Sequence, residues 1–299
     1  MENFENKKEI KYALGIIGGV FTANIVFMFI FGGMIAGLID FNRLLPDIAY
    51  IINIIFSSTV FVLPLVIFGR VFHGIKAPQS GSGNRRSLGL LLIFFAFCMD
   101  YFAAATGAII TQVIFEIAGG GFPDIFETIM PRTPPQAIAF IIFTVIIAPV
   151  SEELIFRKYL LNRLRSLGDF YAVFVTALLF GLWHMNSAQF LYAFLGGLSL
   201  GYIAIWTNGV KIPLIIHIIY NGIECLRFWG FEEYDFANVI LFYGLFILGA
   251  AACIFFAVKG YFKLQNCRPE ISAKTKITIT FLNPVMLISI LLFIYLTIT

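Results

Sequence analysis

Apolar residues along this chain gather into long runs near 12–39, 49–72, 89–118, 136–153, 170–187, 189–206, 211–228, 237–258 and 277–299, with short polar joints between them. A helix needs about 20 apolar residues, at about 1.5 Å each, to cross a hydrocarbon core of roughly 30 Å. The pattern therefore predicts an all-α polytopic membrane protein, a bundle of eight transmembrane helices and a ninth that Pro284 interrupts. The longest polar connection, GIKAPQSGSGNRRS at 74–87, reads as a flexible loop, and no soluble domain stands out. The first run is too long for a signal-peptide core, so it reads as a retained span.

Composition excludes a soluble chain. Hydrophobic residues are 60% and charged residues 12%, with mean hydropathy +0.92, whereas a soluble domain carries about 25% charged residues. The net charge of +3 is small and no basic block offers itself to nucleic acid. Its distribution says more. Lys7, Lys8 and Lys11 precede the first run, and Arg70, Lys76, Arg85 and Arg86 follow the second. Arg157, Lys158, Arg163 and Arg165 follow the fourth, and Lys259, Lys263, Arg268, Lys274 and Lys276 follow the eighth. The alternate joints, such as GFPDIFETIMPRTPP and GFEEYDF, are poor in cations or acidic. Cations favour the cytoplasmic side, so a multi-pass protein of the cell membrane with a cytoplasmic N-terminus is expected.

Four cysteines (Cys98, Cys225, Cys253, Cys267) are scattered without a CxxC pair and read as small hydrophobes, with no disulfide framework. The pairs Gly15/Gly19, Gly33/Gly37 and Gly197/Gly201 match the GxxxG spacing of close helix contacts.

The polar residues inside this apolar chain need a reason. A charge at the membrane centre costs about 2.5 kcal/mol or more, and such residues commonly mark a site. The stretch APVSEELIFRKYL (148–160) ends an apolar run with Glu152 and Glu153, then Arg157. Glu153 and Arg157 are four apart, share a helix face and are expected to pair. Glu152 is turned about 100° from Glu153, which leaves it free for chemistry. His184 ends one apolar run and His217 lies inside another, with Asn221 four residues on and Glu224 continuing that face. Counted from the turn SLGD at 166–169, Glu152 and His184 each lie about 15 residues away, hence at one depth in an antiparallel pair at about 1.5 Å per residue. The link from Met185 to Ala188 then falls inside the membrane, where non-helical backbone is tolerated only if buried or lining a wet cavity. A buried polar cavity open to the cytoplasm is expected there.

Two imidazoles and a carboxylate with water form a catalytic zinc set, with His184, His217 and Glu152 as ligands. The same residues serve without a metal: Glu152 as general base on water beside His184, with His217 and Asn221 stabilising an oxyanion. The cofactor is therefore none or zinc, and either way the chemistry is hydrolysis by activated water. Other polar features read more plainly. The string GLSLG (197–201) matches G-x-S-x-G, but a serine nucleophile needs a strand-to-helix turn; here it sits mid-helix, and helix packing is the better account than a Ser199/His217 dyad. His73 reads as an interfacial histidine, and Asp100 and Glu116 as cavity or relay groups.

The order EELIFR, FGLWH (Phe180 to His184) and HIIYN (His217 to Asn221) on successive helices resembles the CPBP family, the CAAX protease and bacteriocin-processing (Abi) group of intramembrane endopeptidases. The likeness covers about 137–228, including the preceding Ala148 and Pro149. It implies a catalytic core over 135–230 (helices 4–7), flanked by helices 1–3 over 1–134 and helices 8–9 over 231–299. It further implies Glu152 as the catalytic glutamate assisted by His184, His217 and Asn221 as oxyanion stabilisers or His217 as a metal ligand, and Glu153, Arg157 and Phe180 in support. The substrate would be a membrane protein or peptide within the lipid bilayer, with roles in bacteriocin maturation or self-immunity. Short loops point to a bacterial member, for which a prenylated substrate is not implied. The alternative from another class is a non-proteolytic transporter or scaffold with a polar cavity.

Overall fold

The computed structural model describes residues 2–40, 44–72, 90–119, 130–229, 235–260 and 272–298. The described chain is helical throughout, with no strand among the described residues: α1 Glu2–Leu38, α2 Pro46–Val71, α3 Leu90–Ile117, α4 Pro134–Leu167, α5 Asp169–Trp183, α6 Ser187–Thr207, α7 Lys211–Trp229, α8 Asp235–Val258, α9 Ala273–Phe281 and α10 Pro284–Ile298. The loop at 74–87, His73, Cys267 and the cations Lys76, Arg85, Arg86, Lys263 and Arg268 lie outside the described residues.

Local chemistry sets the boundaries. Proline at the first helical position suits a helix start, where its missing N–H would have no partner; Pro46, Pro134 and Pro284 stand there. Thr133 caps α4 by accepting from the Gln136 N–H, and Asn283 caps α10 by accepting from the N–H groups of Val285 and Met286. Gly168 (φ 115°) separates α4 from α5, and Asn208 (φ 50°) closes α6 in the left-handed region that asparagine tolerates. Arg165 and Asp169 lock the α4–α5 turn with a 2.9 Å pair, both side chains 2% exposed.

By length and composition, six helices among the described residues can cross a membrane: those starting at Ile10, Pro46, Leu90, Pro134, Ser187 and Phe236. A seventh is reached if α9 and α10, bent by 74° at their junction, count as one span. The all-α polytopic membrane architecture stands, but the expected count of eight or nine is not reached. Pro284 with its Asn283 cap breaks the last run rather than merely kinking it. α5, at 15 residues, is about 22 Å long, short of the roughly 30 Å core. α7 carries too many polar groups along its 19 residues to pass as a span. These two helices carry His184 and His217.

The chain divides into two compact units. One comprises Met1–Ile75, Asp124–Ile155 and Ser272–Leu292; the other comprises Lys76–Pro123, Phe156–Ile271 and Phe293–Thr299. In the first, α1 meets the start of α10 at backbone contact. A Cβ on Gly18 would lie 2.7 Å from the Met286 Cα, and Ser289 donates its hydroxyl to the Gly18 carbonyl at 2.6 Å. Thr22 joins Ser289 at 2.9 Å, and the Asn283 amide donates to the Lys11 carbonyl at 2.9 Å. Asp47 on α2 accepts from Thr133 and Gln136 at the start of α4. Of the small-residue pairs in α1, Gly15/Gly19 meet Asn283 and Val285 side chains, whereas Gly33/Gly37 meet nothing within 4 Å.

The second unit is built on α3 and α6. Gly107 lets them touch, because a Cβ there would sit 2.5 Å from the Tyr192 Cα. α8 closes on the other contact of α3, with Gly249 against the Cys98 carbonyl. α5 seats on α6 through Gly181 against the Phe190 carbonyl and Gly201 against Val173. Ala96, Cys98, Tyr101, Ile203, Ile216, Ala252 and Phe256 fill the interior.

Candidate active site

Three of the expected residues, Arg157, His184 and His217, meet around the ring of a fourth, Phe180, in the second unit. Phe180 lies in the last turn of α5, held by Phe156 at 5.2 Å between ring centres. His184 meets the Phe180 ring edge to face at 5.1 Å and 89°, and His217 of α7 does so at 5.9 Å and 85°. The Arg157 guanidinium carbon lies 4.5 Å from the same ring centre, a cation over a π face. Its Nη2 reaches the Gly197 carbonyl of α6 at 3.4 Å. Gly197 is what lets α6 come so near: a Cβ there would lie 2.9 Å from Phe180 Cδ1 and 3.2 Å from the Ala177 Cα. The glycines of GLSLG therefore serve packing. Ser199 lies inside α6, without the strand-to-helix turn a serine nucleophile needs.

His184 is the C-cap of α5, and its Nδ1 lies 2.9 Å from the Phe180 carbonyl. A carbonyl only accepts, so this contact assigns the proton of a neutral imidazole to Nδ1 and leaves Nε2 as the acceptor. The turn that follows resolves the problem of broken helix in an apolar setting. Met185 takes φ 51°, and Asn186 then caps α6 by accepting from the Gln189 N–H at 2.8 Å. The Asn186 amide also donates to the His184 carbonyl and to Gln189 Oε1, both at 2.7 Å. One asparagine thus satisfies backbone groups that two helix ends would otherwise leave bare. Tyr192, two turns into α6, faces His184 at 6.1 Å.

His217 is 7% exposed and Asn221 follows it by one turn of α7. Glu152 and Glu153 belong to the first unit and are buried, at 3% and 0% exposure. Glu152 ends a regular stretch of α4, and Glu153 opens a wide π turn that runs to Leu161. Bonds in a π turn run five residues apart rather than four, and such turns recur at functional sites. The regular helix assumed for Glu153 and Arg157 is thus widened there.

Asp100 is buried on α3 at 2% exposure, and Glu116 is an exposed group that accepts from Gln112 at 2.9 Å. Two polar groups that the sequence did not single out stand beside Glu224: Arg227, three residues on in an apolar run, bonds both to it and to Tyr101 of α3. Among the described residues no three His, Cys, Asp or Glu side chains are grouped to hold a metal ion.

Comparison with known proteins gives the arrangement a setting. Residues 134–223 match the family described as type II CAAX prenyl endopeptidase Rce1-like. A 145-residue stretch is 30% identical to the membrane-embedded CAAX protease MroQ of Staphylococcus aureus (strain USA300), covering 44% of this chain and 54% of that protein. The chain thus spans about half the length of that relative. No solved structure matches. The matched residues 134–223 hold Glu152, Arg157, His184, His217 and Asn221, so the region carrying every expected site residue is the region similar to the CAAX protease family.

Proposed function

We propose that this protein is an intramembrane endopeptidase that hydrolyses a peptide bond of a membrane-associated protein or peptide. The observation that carries the reading is the pair of imidazoles, His184 and His217, set edge-on to one phenylalanine ring on helices unsuited to crossing a membrane by themselves. The family match over the three motifs supports it.

In this reading Glu152 takes a proton from water, and the resulting hydroxide attacks the scissile carbonyl carbon. His184 assists through Nε2, the nitrogen its contact with the Phe180 carbonyl leaves as an acceptor. His217 and Asn221 receive the negative charge that builds on the carbonyl oxygen. As the tetrahedral intermediate collapses, the C–N bond breaks and the proton held by Glu152 passes to the departing amine. Glu153 and Arg157 support this arrangement, with Arg157 also bracing Phe180 from above its ring. The N-terminus and the basic joints lie in the cytoplasm, from which a polar cavity admits water and substrate. The physiological role is maturation of, or immunity to, a membrane-active peptide.

The test is a series of Glu152→Ala, His184→Ala and His217→Ala in purified full-length protein, assayed on a peptide library. Loss of cleavage in each is expected; persistence in all three refutes the assignment. Metal content measured on the wild type, followed by chelation, separates the two mechanisms. Full activity in demonstrably metal-free protein removes zinc, while loss restored by zinc requires it.

A further inference from the structure

Two charged groups beyond Asn221 on α7, Glu224 and Arg227, are not used by the chemistry above. Glu224 lies seven residues beyond His217, so at about 3.6 residues per turn it projects within about 20° of the imidazole's direction. Arg227 stands three further on, in the last turn of α7. Its Nη1 donates to both carboxylate oxygens of Glu224 at 2.9 Å and to the Tyr101 hydroxyl of α3 at 3.1 Å. One guanidinium nitrogen thus links the three groups into a cluster. Around it, the Arg227 guanidinium lies 5.0 Å from the ring centre of Phe242 on α8. Tyr101 also packs on Tyr220 of α7 at 5.7 Å and on Phe242 at 6.2 Å.

Stability alone is a poor reason for such a cluster. Both charged side chains are 22% exposed, and ion pairs open to solvent add about 0–1 kcal/mol. What the cluster does is tie α7 to α3. α3 is fixed by backbone contact with α6 at Gly107 and with α8 at Gly249. A bond from the last turn of α7 to that frame fixes its rotation, and hence the direction of every residue on the His217 face.

We propose that Glu224, Arg227 and Tyr101 are positioning residues: a polar clamp that sets the rotation of α7 and so places His217 and Asn221 for the reaction. The inference rests on the protease reading above. A rotation of about 20° moves a Cα by about 0.8 Å on a radius of about 2.3 Å, and the imidazole tip farther. Misplacement by about 1 Å can lower a rate about 100-fold.

The experiment uses the full chain in detergent or nanodiscs, with kcat and KM measured separately on one peptide that the wild type cleaves. Tyr101→Phe and Glu224→Gln should lower kcat about 10- to 100-fold with KM little changed, the signature of a group that matters in the transition state. Arg227→Lys should retain most of the rate, because a single nitrogen makes all three contacts, whereas Arg227→Ala should not. Tyr101→Phe removes one hydroxyl and keeps the test open should the charge variants fail to fold. Wild-type kcat in folded Tyr101→Phe and Glu224→Gln overturns the proposal, as does equal damage from Arg227→Lys and Arg227→Ala. His217→Ala on the same peptide separates the two readings. If it cleaves normally, the protease assignment falls; if it is dead while the clamp variants run at full rate, only the clamp falls.

Discussion

Gly197→Ala adds one methyl group at the point where α6 meets Phe180, and its effect follows from the distances. The new Cβ would stand 2.9 Å from Phe180 Cδ1 and 3.2 Å from the Ala177 Cα. Carbon atoms prefer about 3.5–4.0 Å, so the ring must yield by about 0.6–1.1 Å or α5 and α6 must part by less. The ring has little freedom, with Arg157, Phe156, His184 and His217 all against it. Overpacking of this kind costs about 1–3 kcal/mol, while alanine gains about 1 kcal/mol over glycine in a helix. The net loss of stability is therefore small, about 0–2 kcal/mol, but both imidazoles lose their common support. Activity should fall about 10-fold or more, since a shift of about 1 Å at reacting groups can cost about 100-fold. Gly196→Ala is the matched control: its Cβ meets the Ala104 Cβ at 3.5 Å and Asp100 at 4.0 Å, ordinary contact. Thermal unfolding in detergent and kcat on a cleavable peptide are measured for both. If Gly197→Ala cleaves as fast as Gly196→Ala at comparable folded fraction, the support assigned to Phe180 is wrong.

Two further substitutions test the turns. Asn186→Ala removes the cap of α6 and strips the His184 carbonyl of its donor; loss of the cap alone costs about 1 kcal/mol, and a lower unfolding midpoint with reduced activity is expected. Asp169→Ala leaves the Arg165 guanidinium, 2% exposed, without its ionic partner. Breaking a buried pair in this way costs about 3–5 kcal/mol, so a large drop in midpoint is expected, and an unchanged midpoint would show the pair to be dispensable.

The parts legible in the sequence were those with a strong period or a strong penalty. Long apolar runs gave helix positions to within a few residues, as at α3 and α6. Charge and imidazole in apolar surroundings singled out Arg157, His184 and His217, and the structure brings these three to one ring. The count of spans is less sharply drawn: among the described residues six or seven helices pass by length and composition, because α5 stops at Trp183 and α7 mixes polar residues into its apolar run. The π turn at Glu153–Leu161 leaves no mark in residue type, since it is a property of backbone bonding. Arg227 carries no signal of its own in the sequence, because its partner on α3 lies 126 positions away. Gly197 was readable as a packing residue, but its partner Phe180 was not, because that contact depends on how two helices cross.

The seam between α1 and α10 bears on how the protein is made. The bonds from Ser289 to Thr22 and Gly18, and from Asn283 to Lys11, join residues separated by 267, 271 and 272 positions. Contacts so remote along the chain form late and slow assembly. During synthesis the Gly18 face of α1 is without these partners until residues 283–289 have followed it. The first unit is then completed only after residues Phe156–Ile271 of the second have been made. Chains halted before residue 283 should therefore insert yet remain open along α1, vulnerable to membrane quality control although every motif of the candidate site has already been translated.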